Sequence, residues 1–201
     1  HEKLKASLIK QFDSLKIVGD PKTESPHRLA STTKSFKDAP LRITIFSDFQ
    51  CPACKQLALS IEKIIPRYKK SLNIQYMFYP LDMNCNPSIK RPFHNYACSA
   101  AFASSCFSNE KFTEGHDEIF EHQDKIDGQW IKNFAKKFNV TGCYQKKEIK
   151  EKVVEMIKQA DEYNIKSTPT LLINGRKIEG VLMPNQLSII LDNLLKKKGK
   201  S

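Results

Sequence analysis

No stretch of this chain approaches the roughly 18 consecutive apolar residues that a membrane-spanning helix needs, so no transmembrane helix is expected. No zinc-finger, RNP or basic-helix motif accompanies its positive charge, and the basic residues are scattered, which argues against nucleic acid as a partner. No signal peptide is visible and the chain opens on His1 rather than Met. It is therefore read as a mature or excised fragment of a soluble protein, with whatever preceded it unknown. No internal repeat appears.

What is present sets a different direction. The 201 residues suffice for one elaborated domain or two small ones, and 40% are apolar, so a sizeable core is possible. Basic residues number 33 against 22 acidic, a net charge of +11. Such a surface attracts anionic headgroups or acidic proteins. Six cysteines, an even number, fit an oxidising compartment where pairs persist.

Leu4, Leu8, Ile9, Phe12 and Leu15 recur at helical spacing, predicting an amphipathic helix over 3–17. Gly19–Pro40 is rich in Pro, Ser and Thr and reads as a linker or wrapping arm. LRITIFSDF predicts a buried strand ending near Asp48. A helix follows from Pro52 with Leu57, Ile61, Ile64, Ile65 and Tyr68 on one side; Pro66 should kink or end it. LNIQYMFYP is a second strand. Residues 91–163 hold no good strand, and RPFHNYACSAAFASSC, EKFTEGHDEIFEHQ, GQWIKNFAKKF and EIKEKVVEMIKQADEY all read as helices. TPTLLING and RKIEG form a hairpin on the Asn174–Gly175 type I′ signal, and NQLSIILDNLLKKK closes with a helix. The last residues, LLKKKGKS, are expected to be a solvated tail. The order β–α–β, helical block, β–β–α predicts an α/β fold whose sheet is covered on both faces.

The chemistry concentrates in FSDFQCPACKQL. If Cys51 ends the strand and caps the helix, Pro52 falls at the first helical position, where its missing N–H costs nothing. The helix N-terminus then favours a thiolate on Cys51, since cysteines so placed have pKa values lowered to roughly 3.5–7.5. Cys54 lies one turn in, close enough to close a disulfide. Cys51 is the expected attacking thiol and Cys54 the resolving one. A zinc half-site would need two more ligands, and His94 with Cys98, four apart on a predicted helix, is the candidate pair. The strand, Cys-Pro-x-Cys and helix combination favours redox chemistry, with no metal.

These motifs, with STPTLLINGRKIEG and the final helix, resemble a DsbA-like thioredoxin-fold thiol–disulfide oxidoreductase over about residues 40–197. YPLDMNCNPSIKRPFHNYACSAAFASSC resembles more particularly the thioredoxin-like domains associated with, or fused to, bacterial vitamin K epoxide reductase homologues. The resemblance implies a periplasmic or otherwise extracytoplasmic enzyme. Its partners would be substrate proteins with cysteine thiols and a membrane quinone-linked oxidoreductase of the vitamin K epoxide reductase type. No cofactor is implied. Pro169 matches the cis-proline facing the redox pair, and Thr168 the residue whose backbone pairs with a bound substrate chain.

Two departures stand out. Ala53 occupies the place where DsbA carries histidine, and Ile45 the place of a buried acid six residues before the first cysteine. Asp48 could assist proton transfer from Cys54, but capping the helix is the preferred reading.

Cys98 and Cys106, eight apart on one predicted helix, would lie about 12 Å apart, too far to pair. Cys85–Cys98 with Cys106–Cys143 is the preferred set of structural disulfides; Cys85–Cys106 with Cys98–Cys143 is the alternative. His116 and His122 are expected near the surface, Trp130 packed on an insertion helix, and Phe49 in either a docking patch or the core. The organisation expected is an N-terminal helix and linker arm over 1–40 and a thioredoxin-like domain over 41–201. That domain holds a helical insertion at about 88–163 and is expected to be monomeric. Gly19–Pro40 is a candidate membrane tether. The function expected is oxidation of substrate thiols by a Cys51–Cys54 disulfide, with a reductase or isomerase as the alternative and a non-enzymatic zinc-binding or stapled module as the competing class.

Overall fold

A computed structural model of the chain describes residues 1–199; the last two residues of the expected solvated tail lie outside them. Helix α1 is Glu2–Ser14, α2 Pro52–Tyr68, α3 Ala97–Ser104, α4 Phe112–Glu121, α5 Gly128–Lys137, α6 Lys147–Glu162 and α7 Pro184–Lys198. The strands are β1 Arg28–Ala30, β2 Leu41–Ser47, β3 Leu72–Phe78, β4 Thr170–Ile173 and β5 Arg176–Glu179. They form one sheet in the order β1-β3-β2-β4-β5. β2 and β3 run parallel and the other neighbours antiparallel. This is the expected α/β class. Among the described residues no helix is long and apolar enough to cross a membrane.

The central strands are buried on both faces: one face carries Leu41, Ile43, Ile45, Leu72, Ile74, Tyr76 and Phe78, and the other mixes apolar residues with Thr44, Asn73 and Gln75, which find buried hydrogen-bond partners. Ile43 and Ile45 on β2, and every residue of β3, are buried. Burying the aliphatic and Phe side chains among them stabilises by about 1.5–3 kcal/mol each. Asn174 and Gly175 both take positive φ, 45° and 82°, as the tight hairpin between β4 and β5 requires.

Three expectations are corrected. Of the two outcomes expected at Pro66, a kink or an end, the end is overturned, since α2 runs to Tyr68. The carbonyl left without its partner belongs to Glu62, an exposed residue that water can serve. The helix predicted over 91–106 is only Ala97–Ser104, so Cys106 lies beyond its end and residues 91–96 are irregular. In α1, Leu4 is 76% exposed and only Phe12 is buried.

The Gly19–Pro40 arm is fastened rather than free. Where it starts, Val18 and Gly19 donate to the Gly175 carbonyl at the β5 edge; farther along, β1 pairs with β3 at the opposite edge. Buried polar side chains of β3 hold it between. Gln75 accepts from the Ser25 N–H at 2.9 Å, and Asn73 accepts from the Thr32 N–H at 2.6 Å. A buried amide without such partners would cost about 1–3 kcal/mol, so the arm's backbone completes the sheet. A flexible tether over Gly19–Pro40 is thus excluded.

Candidate redox-active site

Strand β2 delivers the chain to the N-terminus of α2, and the turn between them is built from four residues. Asp48 accepts the Cys51 N–H on its carbonyl at 3.1 Å. Its carboxylate Oδ1 accepts the Gln50 N–H at 2.7 Å, an Asx-type turn. Cys51 itself is the N-cap, with Pro52 at the first helical position; its Sγ accepts the Cys54 N–H at 3.3 Å. Both cysteines are free thiols, Cys51 6% and Cys54 2% exposed.

Their environments split the two thiols. Hydrogen bonding from Cys54 lowers the pKa of Cys51 to about 6, against the opposing effects of burial and the nearby Asp48 charge. Thr168 adds to the lowering, and its buried hydroxyl, with no other partner, is available to the thiolate. Burial, together with the Cys51 thiolate, pushes Cys54 well up. The helix N-terminus supplies the physical preference for charge on Cys51.

The segment entering β4 closes the site from the other side. Thr168 presents its carbonyl oxygen 3.5 Å from the Cys51 sulfur, and the Thr168–Pro169 peptide bond is cis. Cys51, Cys54, Thr168 and the adjoining Pro169 are thus gathered from two ends of the chain.

The insertion contributes residues that the Cys-Pro-x-Cys motif did not point to. Gln123, after α4, donates to the carbonyls of Phe49 at 2.7 Å and Cys51 at 2.9 Å. Gln50 accepts the Tyr96 N–H at 2.9 Å. His94 Nδ1 lies 2.8 Å from Asp48 Oδ2, which also accepts the Leu81 N–H at 2.7 Å. The spacing in sequence, 46 residues between Asp48 and His94, carried no signal of this contact.

Several site readings change accordingly. Asp48 does not cap α2; it closes the preceding turn and anchors the 81–94 loop. The His94–Cys98 zinc half-site is not assembled, because the Cys98 sulfur is bonded to Cys85 at 2.07 Å and His94 faces Asp48 outside the helix. The other bridge joins Cys106 to Cys143, with Cα atoms 6.0 Å apart. The first ties the loop after β3 to α3, the second the end of α3 to the α5–α6 turn. His116, expected near the surface, is fully buried, its ring 4.2 Å from that of Tyr76 and 5.5 Å from that of Phe49. His122 is half-buried against the Glu118 carbonyl, and Trp130 stacks on Phe134 at 5.1 Å. Phe49 is core, packed on Phe78, His116 and Phe120.

Comparison with known proteins gives a consistent picture. The thioredoxin family model matches residues 36–193. The chain is 25% identical over 151 residues to the Na(+)/H(+) antiporter NhaA 1 of Mycolicibacterium gilvum, covering 71% of this chain and 23% of that protein. It therefore spans about a quarter of the length of the antiporter relatives it matches. It is 26% identical over 182 residues to the probable disulfide bond formation protein D of Bacillus cereus, covering 79% and 78% of the two chains. Among solved structures, alpha-DsbA1 of Wolbachia pipientis superposes with a TM-score of 0.69 at 18% identity, covering 85% of this chain and 91% of that one. At that identity the likeness speaks for the fold.

Proposed function

The chain belongs to the thioredoxin family, in a DsbA-like form, and on that premise we propose that it is a thiol–disulfide oxidoreductase oxidising substrate protein thiols through a Cys51–Cys54 disulfide. The observation that carries this reading is the split between the two thiols. Cys51 sits at a helix N-terminus with its pKa drawn down to about 6, and Cys54 lies behind it with its pKa pushed up. Stabilising the Cys51 thiolate stabilises the reduced enzyme, which makes the disulfide form the stronger oxidant.

The reaction follows from those roles. A substrate thiolate attacks Cys51 Sγ of the disulfide, forming a mixed disulfide and expelling Cys54 as a thiolate that takes up a proton. A second substrate thiol, giving up its proton, attacks the substrate sulfur of the mixed disulfide. Cys51 then leaves as a thiolate, which its low pKa favours. The substrate has lost two electrons and two protons, and Cys51 and Cys54 have gained the electrons. On this reading the Thr168 carbonyl, 3.5 Å from the Cys51 sulfur, receives a backbone N–H of the bound substrate chain.

The setting we propose is extracytoplasmic. Cys85–Cys98 and Cys106–Cys143 leave only the redox pair unbridged among six cysteines, which suits an oxidising compartment. The redox domain proper is read as beginning near residue 41, with the 1–40 segment packed on it through β1 and the 88–163 insertion supplying Gln123 and the His94 segment. For reoxidation we propose a membrane quinone-linked oxidoreductase of the vitamin K epoxide reductase type. The resemblance over residues 79–106 and the net charge of +11, which favours anionic headgroups, support it.

The deciding experiment is the reduction potential of the Cys51–Cys54 pair against glutathione, paired with oxidative refolding of a reduced substrate. A potential above that of the glutathione pool and stoichiometric substrate oxidation are expected. A potential near the roughly −270 mV of thioredoxin would reverse the direction to reduction. Reduced protein should also be reoxidised catalytically by the membrane enzyme with quinone, and Cys51→Ser should abolish it.

A further inference from the structure

Asp48 is 2% exposed and lies three residues before the nucleophile, bonded through its carbonyl to the Cys51 N–H. A carboxylate so placed is a like charge beside the Cys51 thiolate and works against it. Its oxygens are held by two backbone donors, Gln50 and Leu81, which carry no net charge. The contact able to supply a full positive charge is His94, whose Nδ1 is 2.8 Å from Oδ2.

His94 is itself built into place. Its N–H donates to the Leu81 carbonyl at 3.2 Å, and its ring stacks on Phe93 at 4.0 Å and 17°. The Cys85–Cys98 bridge closes the loop that carries it. The side chain stays 16% exposed, enough to exchange a proton with water. The titratable groups that face it are Asp48 from the β2–α2 turn, Cys51 from the start of α2, and Asp82 from the loop after β3.

We propose that His94 is a positioning residue for the nucleophile, acting through Asp48: as an imidazolium it cancels the buried carboxylate charge beside Cys51, so protonation of His94 and formation of the Cys51 thiolate favour each other. The proposal rests on reading Cys51 as the attacking thiol. Burial alone would lower the proton affinity of His94, but the hydrogen bond and charge of Asp48, with Cys51 and Asp82, raise it above the ordinary histidine value. Coupling of this kind is reciprocal. Reducing the disulfide creates a negative charge on Cys51, and His94 should then hold its proton more tightly than in the disulfide form.

The test uses the wild-type chain in both redox states, with the His94 ring protons titrated by NMR. The His94 midpoint is expected to be higher in the reduced form by about one unit, the scale of a nearby opposite charge. A second measurement follows Cys51 alkylation against pH in His94→Gln, which keeps a donor for Asp48 and loses the charge. Its inflection should move up by about one unit, a roughly tenfold loss of reactivity below it. A residue that merely pins the loop would leave both readouts unmoved, and either identical His94 midpoints in the two redox states or an unshifted Cys51 inflection in a folded His94→Gln overturns the proposal. Should His94→Gln not fold, the wild-type titration decides alone. Wild-type turnover is assayed separately: coupled titration without turnover would leave this proposal standing and remove the oxidoreductase reading.

Discussion

The sulfur of Cys51 lies 3.5 Å from the carbonyl oxygen of Thr168, a residue 117 positions further along the chain. The contact joins the N-terminus of α2 to the segment entering β4. It forms because β2, which leads to Cys51, pairs antiparallel with β4, Phe46 standing opposite Thr170. The redox pair is therefore framed by a helix end on one side and by extended backbone on the other.

From this arrangement, Cys54→Ser should accumulate mixed disulfides when its Cys51 thiolate attacks the disulfide of an oxidised substrate, releasing the other substrate sulfur as a thiolate, because no Cys54 thiol remains to displace the substrate from Cys51. Cys51→Ser should abolish exchange. Mass spectrometry of non-reduced adducts reads the outcome, and adducts on Cys54 would reverse the assigned roles.

The two thiols should titrate far apart. Hydrogen bonds from Cys54 and Thr168 lower Cys51, so its alkylation rate should rise with pH through an inflection near 6 and then level off. Cys54, raised by burial and by the Cys51 thiolate, should stay unreactive until well above pH 9. Site-resolved mass spectrometry of the alkylated, reduced wild-type chain separates the two curves, because a single-cysteine variant would remove the Cys54 hydrogen bond that lowers Cys51 or the Cys51 charge that raises Cys54.

The two bridges should differ in what they contribute. Replacing both cysteines of either bridge by Ala is expected to cost about 2–5 kcal/mol. Cys106–Cys143 spans 37 residues against 13 for Cys85–Cys98, and the longer loop should cost about 1 kcal/mol more by chain entropy. Urea midpoints compare them.

Gly115 leaves no room for a side chain. A Cβ there would overlap the Phe107 ring, which is itself packed against Phe134 and Phe138. Gly115→Ala should gain some helix propensity in α4 yet lose about 1–3 kcal/mol net by overpacking. Thermal unfolding gives the sign.

Acid should weaken the fold through its buried histidines. Burial, with help from Lys152 and His116, depresses His27 to about 4, and burial depresses His116 also. A depressed histidine binds its proton more weakly folded than unfolded. Its contribution is intact above about pH 6.5 and is lost as pH falls toward 4, on the order of 3 kcal/mol for His27. His94 has the opposite sign: its pKa is raised, so its contribution is present below about pH 6.5 and lost as pH rises through the raised value. Denaturant midpoints at pH 7 and 4.5 should show the loss, and His27→Phe, which can pack on Phe78 and Phe112 without titrating, should reduce it.

Much of this architecture follows from interactions between near neighbours in the chain. The alternation of structure from β2 to β3 is written in β-branched runs and a helical apolar stripe. Pro52 at the start of α2 makes Cys51 its cap, and Asn174–Gly175 supplies the two positive φ angles of the hairpin. Local rules reach only as far as the next turn or two. They left open whether α2 would end at Pro66 or continue past it, as it does where water can serve the unpartnered Glu62 carbonyl. Nor could they show that β1 would join β3, because Ser, Thr and Pro mark the arm as a loop until Asn73 and Gln75 offer it buried partners. His116 reads as polar and surface-bound until a cage of Phe49, Tyr76, Phe112 and Phe120 encloses it. His94 and Gln123 reach the turn around Cys51 only once β3, the disulfides and the insertion helices fold back on it. Those contacts are long-range side-chain and backbone matches, formed by packing, and no periodicity or spacing along the chain encodes them.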